Sequence, residues 1–163
     1  RDTAKEAWDY WRWRTLRALV EPGGDYVALM KLVERFGRDR CFVETSNCDS
    51  LHFRAGLDSE KVYEIHGSLS RLQCSTPCNA RLLPADATFL KRLEEEPDWV
   101  PMCEMCGSAC LRPNVKIFGD FQIETEELDA QRRRRSAFLE SFSHGGEKSN
   151  FVVLEIGAGT VVP

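Results

Sequence analysis

The chain has no apolar run approaching the roughly 20 residues that a bilayer-spanning helix needs. No signal-peptide pattern opens it either, so a membrane partner is not expected. Bulk positive charge is also missing. The formal net charge is −4, which gives nucleic acid no electrostatic hold. The one basic cluster, Arg132-Arg133-Arg134-Arg135, reads as the solvated face of a helix. No internal repeat or low-complexity tract is visible, and no Gly-Lys-Ser/Thr follows a glycine loop, which excludes a Walker phosphate site. An initiator Met is absent too: the chain opens at Arg1 and stops at Pro163, just after an apolar run and a glycine loop. That pattern predicts a portion of a longer protein.

What the chain does have is cysteine in a telling arrangement. Cys74-Ser75-Thr76-Pro77-Cys78 is followed by Cys103-Glu104-Met105-Cys106. A Cys-x3-Cys and a Cys-x2-Cys together read as a tetrahedral zinc site, and four thiolates with no open position make the metal structural. There are seven cysteines, and an odd count in short paired spacings fits reduced thiols better than a secreted disulfide framework. This points to an intracellular, reducing compartment, the cytoplasm first. Cys41 reads as a small buried strand residue and Cys48 as a loop residue. Cys110 is either a bystander or a substitute ligand for the second pair.

Hydrophobic residues make up 42% of the chain, enough for a core in one domain with a small inserted lobe. Helical spacing of apolar residues predicts helices over residues 4–20 and 26–36, separated by Glu21-Pro22-Gly23-Gly24. Short strands are expected at 41–43, 61–65, 115–118 and 151–156, and further helices at 86–95 and 124–142. Strands alternating with helices argue for an α/β sheet, in which ligands bind beyond the carboxyl ends of the strands. Asn47, His66 and Gly157 each follow such an end, so the sheet is expected to bring them to one rim.

Each of these residues also has a plainer role open to it. His66 precedes Gly67, and an imidazole titrating near neutrality suits general-base work, though a single His is more often a satisfied core or surface residue. Asn47 and Asp49 suit a polar site loop, yet Asp49 would also cap the turn that starts at Ser50. Gly157-Ala158-Gly159-Thr160 would let a nucleotide approach the backbone, or is simply a turn.

Taken in order, these motifs resemble the sirtuins, the NAD-dependent protein deacylases, over most of the chain after residue 41. Thr45-Ser46-Asn47-Cys48-Asp49-Ser50-Leu51-His52 is similar to the family's Thr-Gln-Asn-Ile-Asp-Gly-Leu-His stretch. Glu64-Ile65-His66-Gly67-Ser68-Leu69 is similar to its catalytic histidine segment. Leu111-Arg112-Pro113-Asn114-Val115-Lys116-Ile117-Phe118-Gly119-Asp120 resembles its Leu-Arg-Pro-Asp-x-x-x-Phe-Gly-Glu segment. The variant details look like a bacterial-type branch. The sequence departs from the pattern at Ser46 for Gln, Ser50 for Gly and a charged Lys116. The family's phosphate-cradling Gly-Ala-Gly-x-Ser loop and its closing strand have no counterpart in the sequence.

The resemblance implies a partial Rossmann-like parallel sheet with helices (residues 1–67 and 114–163) and an inserted zinc-ribbon lobe (68–113). It also implies an enzyme that moves the acyl group of an acylated lysine, in a protein or peptide, onto ADP-ribose from NAD with release of nicotinamide. His66 would be the base. Thr45, Ser46, Asn47 and Asp49 would hold the nicotinamide half of NAD, and Gly157, Ala158 and Gly159 the adenosine half. Val115, Lys116, Phe118 and Gly119 would line the acyl-lysine tunnel, partly by pairing with the peptide as an added strand. Cys74, Cys78, Cys103 and Cys106 would bind the zinc. The same pocket would serve an ADP-ribosyltransferase or an NAD hydrolase, and without catalysis the chain would be a zinc-containing interaction module.

Overall fold

The computed structural model describes residues 3–142 and 151–157. Helices α1 (Thr3–Arg17) and α2 (Gly24–Phe36) open the chain. A parallel pair follows, β1 (Val43–Thr45) and β2 (Val62–Glu64), with the short helix α3 (Leu51–Arg54) in the crossover. The chain then enters a three-stranded antiparallel sheet. Its middle strand is β3 (Gly67–Cys74), flanked by β4 (Leu83–Pro84) and β5 (Leu111–Val115). Helix α4 (Ala87–Glu95) lies between β4 and β5, and α5 (Glu126–Ser141) closes the described fold.

Two apolar cores hold these elements. Trp8 and Trp11, three residues apart on α1, bury against Leu69 and Leu72 of β3, Leu93 of α4 and Leu111 of β5. The Trp8 indole donates to the Leu111 carbonyl at 2.7 Å, so the ring buries its polar edge satisfied. Tyr10 and Trp13 stay exposed, off that face. Helix α1 stops at Arg17, three residues before the expected end, which leaves Leu19 outside it.

Arg12 joins the two ends of this core. Its guanidinium donates to the carbonyls of Leu93, Glu96 and Trp99, each at 2.9 Å, and to that of Pro97. Leu93 lies in the last turn of α4, whose carbonyls lack helical partners, and the other three follow the helix end. At the other end of α4, the Asp86 carboxylate accepts from the Phe89 N–H at 2.9 Å.

The second core packs Val33 of α2 on Val62 and Leu57, with Met30, Val43 and Phe53 around them. Helix α5 runs along the outer edge of β2, where the Gln131 side chain accepts the Glu64 N–H at 2.8 Å. This edge is thereby capped by a side-chain amide. The arginine run on α5 is absorbed locally: Arg132 pairs with Asp129, Arg134 with Glu60 and Arg135 with Glu44.

Three expected strands differ. The first lies at Val43–Thr45 instead of 41–43, because Phe42 packs on Phe138 of α5 (5.4 Å between rings) ahead of the ladder. The strand expected at 115–118 is β5, Leu111–Val115; its Pro113 is tolerated because β5 is an edge strand. Residues 151–156 form no strand. No described strand pairs with them, Val152 is 85% exposed, and only Phe151 finds an aromatic neighbour, Phe142.

Candidate functional site

The parallel ladder sets the geometry. Thr45 of β1 stands opposite Glu64 of β2, and the Ile65 N–H donates to the Thr45 carbonyl at 2.9 Å. Asn47 and His66 each lie two residues beyond that pair, at the same level past the carboxyl ends of neighbouring strands. Both are exposed there. Asn47 and His66 thus follow the carboxyl ends of two adjacent parallel strands.

The loop after β1 is closed by its own side chains. The Thr45 hydroxyl accepts the Asn47 N–H at 3.1 Å, and the Asp49 carboxylate accepts the Leu51 N–H at 3.0 Å. Asp49 thus caps the turn into α3. From α2, Tyr26 meets His52 edge-on, with 5.0 Å between rings. Burial, and then the Asp49 charge, push the Tyr26 hydroxyl above its ordinary range. Burial pulls the His52 imidazole down, against the opposing effect of Asp49. Burial also raises the Cys48 thiol, and the Cys48 carbonyl accepts the Leu69 N–H at 2.9 Å.

The His66 turn is wedged against β5. Gly67 has φ +84°, and a Cβ there would lie 2.1 Å from the Asn114 carbonyl oxygen. Only glycine fits. Two residues past Asn114, the Lys116 N–H donates to the His66 carbonyl at 2.8 Å. Three distant segments, around Asn47, His66 and Val115-Lys116, thereby meet. Directly beneath, Glu64 is buried with its carboxyl pushed up to about 7; burial dominates, and the Ser50 hydroxyl works against it.

The acyl-tunnel candidates are disposed unevenly. Val115 is buried and paired with Gly67, and Lys116 is exposed with its N–H already engaged. Phe118 is 102% exposed, and Gly119 follows it at φ +75°. The loop that carries them is anchored at its far end by a network the sequence reading did not anticipate. Gln73, 0% exposed, donates to the Gln122 carbonyl (2.7 Å), and its amide oxygen accepts the Glu124 N–H (3.1 Å) and the Asn114 amide (2.7 Å). Arg112 pairs with Asp120 at 2.7 Å. Burial alone would raise the Asp120 carboxyl, but Arg112 and the Gln122 N–H hold it below its ordinary value. Nothing in the sequence sets Gln73 and Asn114 apart, since β3 and β5 carry other polar residues as well.

Gly157 has φ +73° and open space around its Cβ position, with nothing tying it to the His66 turn. Ala158 and Gly159 lie outside the described residues.

The four cysteines do converge. Cys74 ends β3 and Cys103 and Cys106 precede β5, so the β3–β5 pairing brings the two loops together. The sulfurs of Cys74 and Cys106 are 3.9 Å apart, those of Cys78 and Cys103 3.6 Å, and all four lie within 4.8 Å of one another. A tetrahedral ion with Zn–S of about 2.3 Å places its sulfurs roughly 3.8 Å apart. The all-sulfur donor set fits a structural zinc ion. Cys110 is not part of the set; its thiol faces the Ser75 hydroxyl at 3.6 Å. Desolvation and the neighbouring thiols push Cys78 up to about 12. The Ser108 N–H and hydroxyl and the Ala109 N–H bring Cys106 down to about 6, preparing it as a thiolate.

A parallel α/β pair carrying an amide and an imidazole on one rim, joined to a four-cysteine lobe, defines a mixed α/β protein with a structural metal site. Residues 2–136 match the Sir2 family model, and the chain belongs to that family. It is 34% identical over 123 residues to an NAD-dependent protein deacylase of Pyrococcus furiosus, covering 75% of this chain and 46% of that protein. It is 32% identical over 157 residues to one of Thermococcus kodakarensis, covering 96% and 54%. A solved Sir2 structure in complex with an inhibitor, 2′-O-acetyl-ADP-ribose and a deacetylated p53 peptide is 32% identical, with a TM-score of 0.49 over 71% of this chain and 43% of that one. The chain spans about half the length of the curated relatives it matches. No helix among the described residues is long and apolar enough to cross a membrane.

Proposed function

We propose that this chain carries the histidine rim and the metal lobe of an NAD-dependent protein lysine deacylase. The observation that supports this most directly is the β1–β2 register, with Asn47 and His66 level beyond Thr45 and Glu64. Asn47 offers an amide and Asp49 a carboxylate, groups that suit the carboxamide and ribose hydroxyls of NAD. Thr45 and Ser46 flank them, and Gly157 to Gly159 would serve the adenosine side. NAD, when bound, supplies the electrophilic ribose carbon and the ADP-ribose acceptor. His66 is exposed on the rim, with its backbone fixed by Lys116, and is suited to take a proton from a ribose hydroxyl. Val115, Lys116, Phe118 and Gly119 would meet the acylated lysine of a protein or peptide. The zinc would hold the lobe and take no part in the reaction.

The test is nicotinamide release by the full-length protein given NAD and an acyl-lysine peptide, with the product identified by mass spectrometry. The expected product is acyl-ADP-ribose. Free ADP-ribose or protein-bound ADP-ribose would instead make it a hydrolase or a transferase. His66→Ala is expected to lower turnover by roughly 10²–10⁴-fold. Equal turnover would remove His66 from the role of base.

A further inference from the structure

Ser50 is the one non-glycine among the described residues with a positive φ, +58°. An L-residue persists in that conformation only where its surroundings hold it there, and such positions cluster at functional sites. Ser50 follows Asp49 directly and leads into α3. Its hydroxyl is 2.7 Å from that of Ser68 and 3.3 Å from that of Ser70, both on β3. It also reaches the buried Glu64 carboxylate at 3.3 Å, and the Ser68 and Ser70 hydroxyls stand 2.8 Å from each other.

Glu64 lies two residues before His66 and Ser68 two residues after it. One hydroxyl on the Asn47–Asp49 loop therefore touches both shoulders of the His66 turn. The Cys48 carbonyl and Leu69 N–H form a backbone tether beside it. A glycine at this position would take the same φ without cost, so the hydroxyl is what serine adds. The cluster opens on a cleft of about 570 Å³ that Asp49, Ser50, Glu64, Ser68 and Ser70 help to line.

We propose that Ser50 is a positioning residue: through Ser68, Ser70 and Glu64 its hydroxyl fixes the separation between the Asn47–Asp49 loop and the His66 turn. This rests on the reading of those residues as the NAD-facing rim. In the full-length protein, Ser50→Gly keeps the turn unstrained and removes the hydroxyl together with its Cβ. The KM for NAD is expected to rise about fivefold, the worth of one neutral hydrogen bond, with kcat within about twofold because the His66 turn keeps its Lys116 bond and its Gly67–Val115 pairing while the Asn47–Asp49 loop shifts. The Leu69 amide is expected to exchange with solvent about fivefold faster, with Leu72 unchanged. Ser68→Ala should behave alike, and the double variant should be no worse than either single one.

Wild-type KM together with wild-type Leu69 exchange in Ser50→Gly would overturn the proposal. So would faster exchange without any change in KM. If the wild type shows no NAD turnover at all, the reading of the rim fails, and Leu69 exchange alone decides the tether: faster exchange supports it and unchanged exchange overturns it.

Discussion

Adding one methyl group at Gly67 tests whether the His66 turn depends on its contact with β5. In Gly67→Ala the new carbon would begin 2.1 Å from the Asn114 carbonyl oxygen, about 1 Å inside ordinary contact. The obstacle is backbone in a paired strand, so it cannot swing aside. The residue would also hold φ +84°, which costs an L-residue roughly 1–2 kcal/mol. Relief requires the turn to lift from β5, which breaks the bond from the Lys116 N–H to the His66 carbonyl, worth about 1 kcal/mol. Those terms alone amount to roughly 2–3 kcal/mol, and distortion of the Gly67–Val115 pairing adds to them. Urea unfolding followed by circular dichroism reads the loss as a lower midpoint at unchanged slope. In the full-length enzyme, a displacement of about 1 Å at His66 is expected to cost on the order of 10² in turnover. A variant within about 0.5 kcal/mol of wild type, with normal turnover, would refute the wedge described for this turn.

Two further outcomes follow from the site. Metal analysis of folded protein should give close to one zinc per chain, and Cys74→Ser should lower it while Cys110→Ser leaves it unchanged; a ratio near zero would sink the metal assignment. The Glu64 carboxyl sits at about 7, above its ordinary 4.5, so the fold favours its neutral form. Its contribution is complete below about pH 4.5 and is lost as pH rises through about 7, on the order of 3 kcal/mol in total. Glu64→Gln should therefore flatten the fall in urea stability between about pH 5 and pH 8 relative to wild type, and parallel profiles would contradict the burial argument.

Much of the site was legible because its signals are local. Cysteine spacing specifies a ligand set within a few residues, and glycine after His66 marks a turn that no other residue fits. The strand boundaries were less legible, since ladders are chosen by partners. Cys41 and Phe42 look like strand, yet Phe42 is taken by Phe138, and the ladder starts where Val43 meets Val62. Residues 151–156 carry a strand pattern with no described partner, and pattern alone cannot supply one. Gln73 and Asn114 sit among other polar residues of their strands, but each finds its donors and acceptors about ten to fifty positions away along the chain. Ser50 looked like an ordinary turn residue, because a left-handed φ leaves no mark on sequence when it is supported by hydroxyls from another strand.

The strand β3 begins at the residue after His66 and ends at a metal ligand, with Gln73 just before that ligand holding the loop beyond β5. The eight residues of β3, with an irregularity between Ser68 and Leu72, thus run from the proton-handling end to the ion like a cord. Stripping the ion slackens that cord at its far end, so demetallated protein should lose its rim geometry although no substrate ever touches the zinc. A tightly held ion well away from the reacting atoms then acts as an anchor point for the geometry of the histidine.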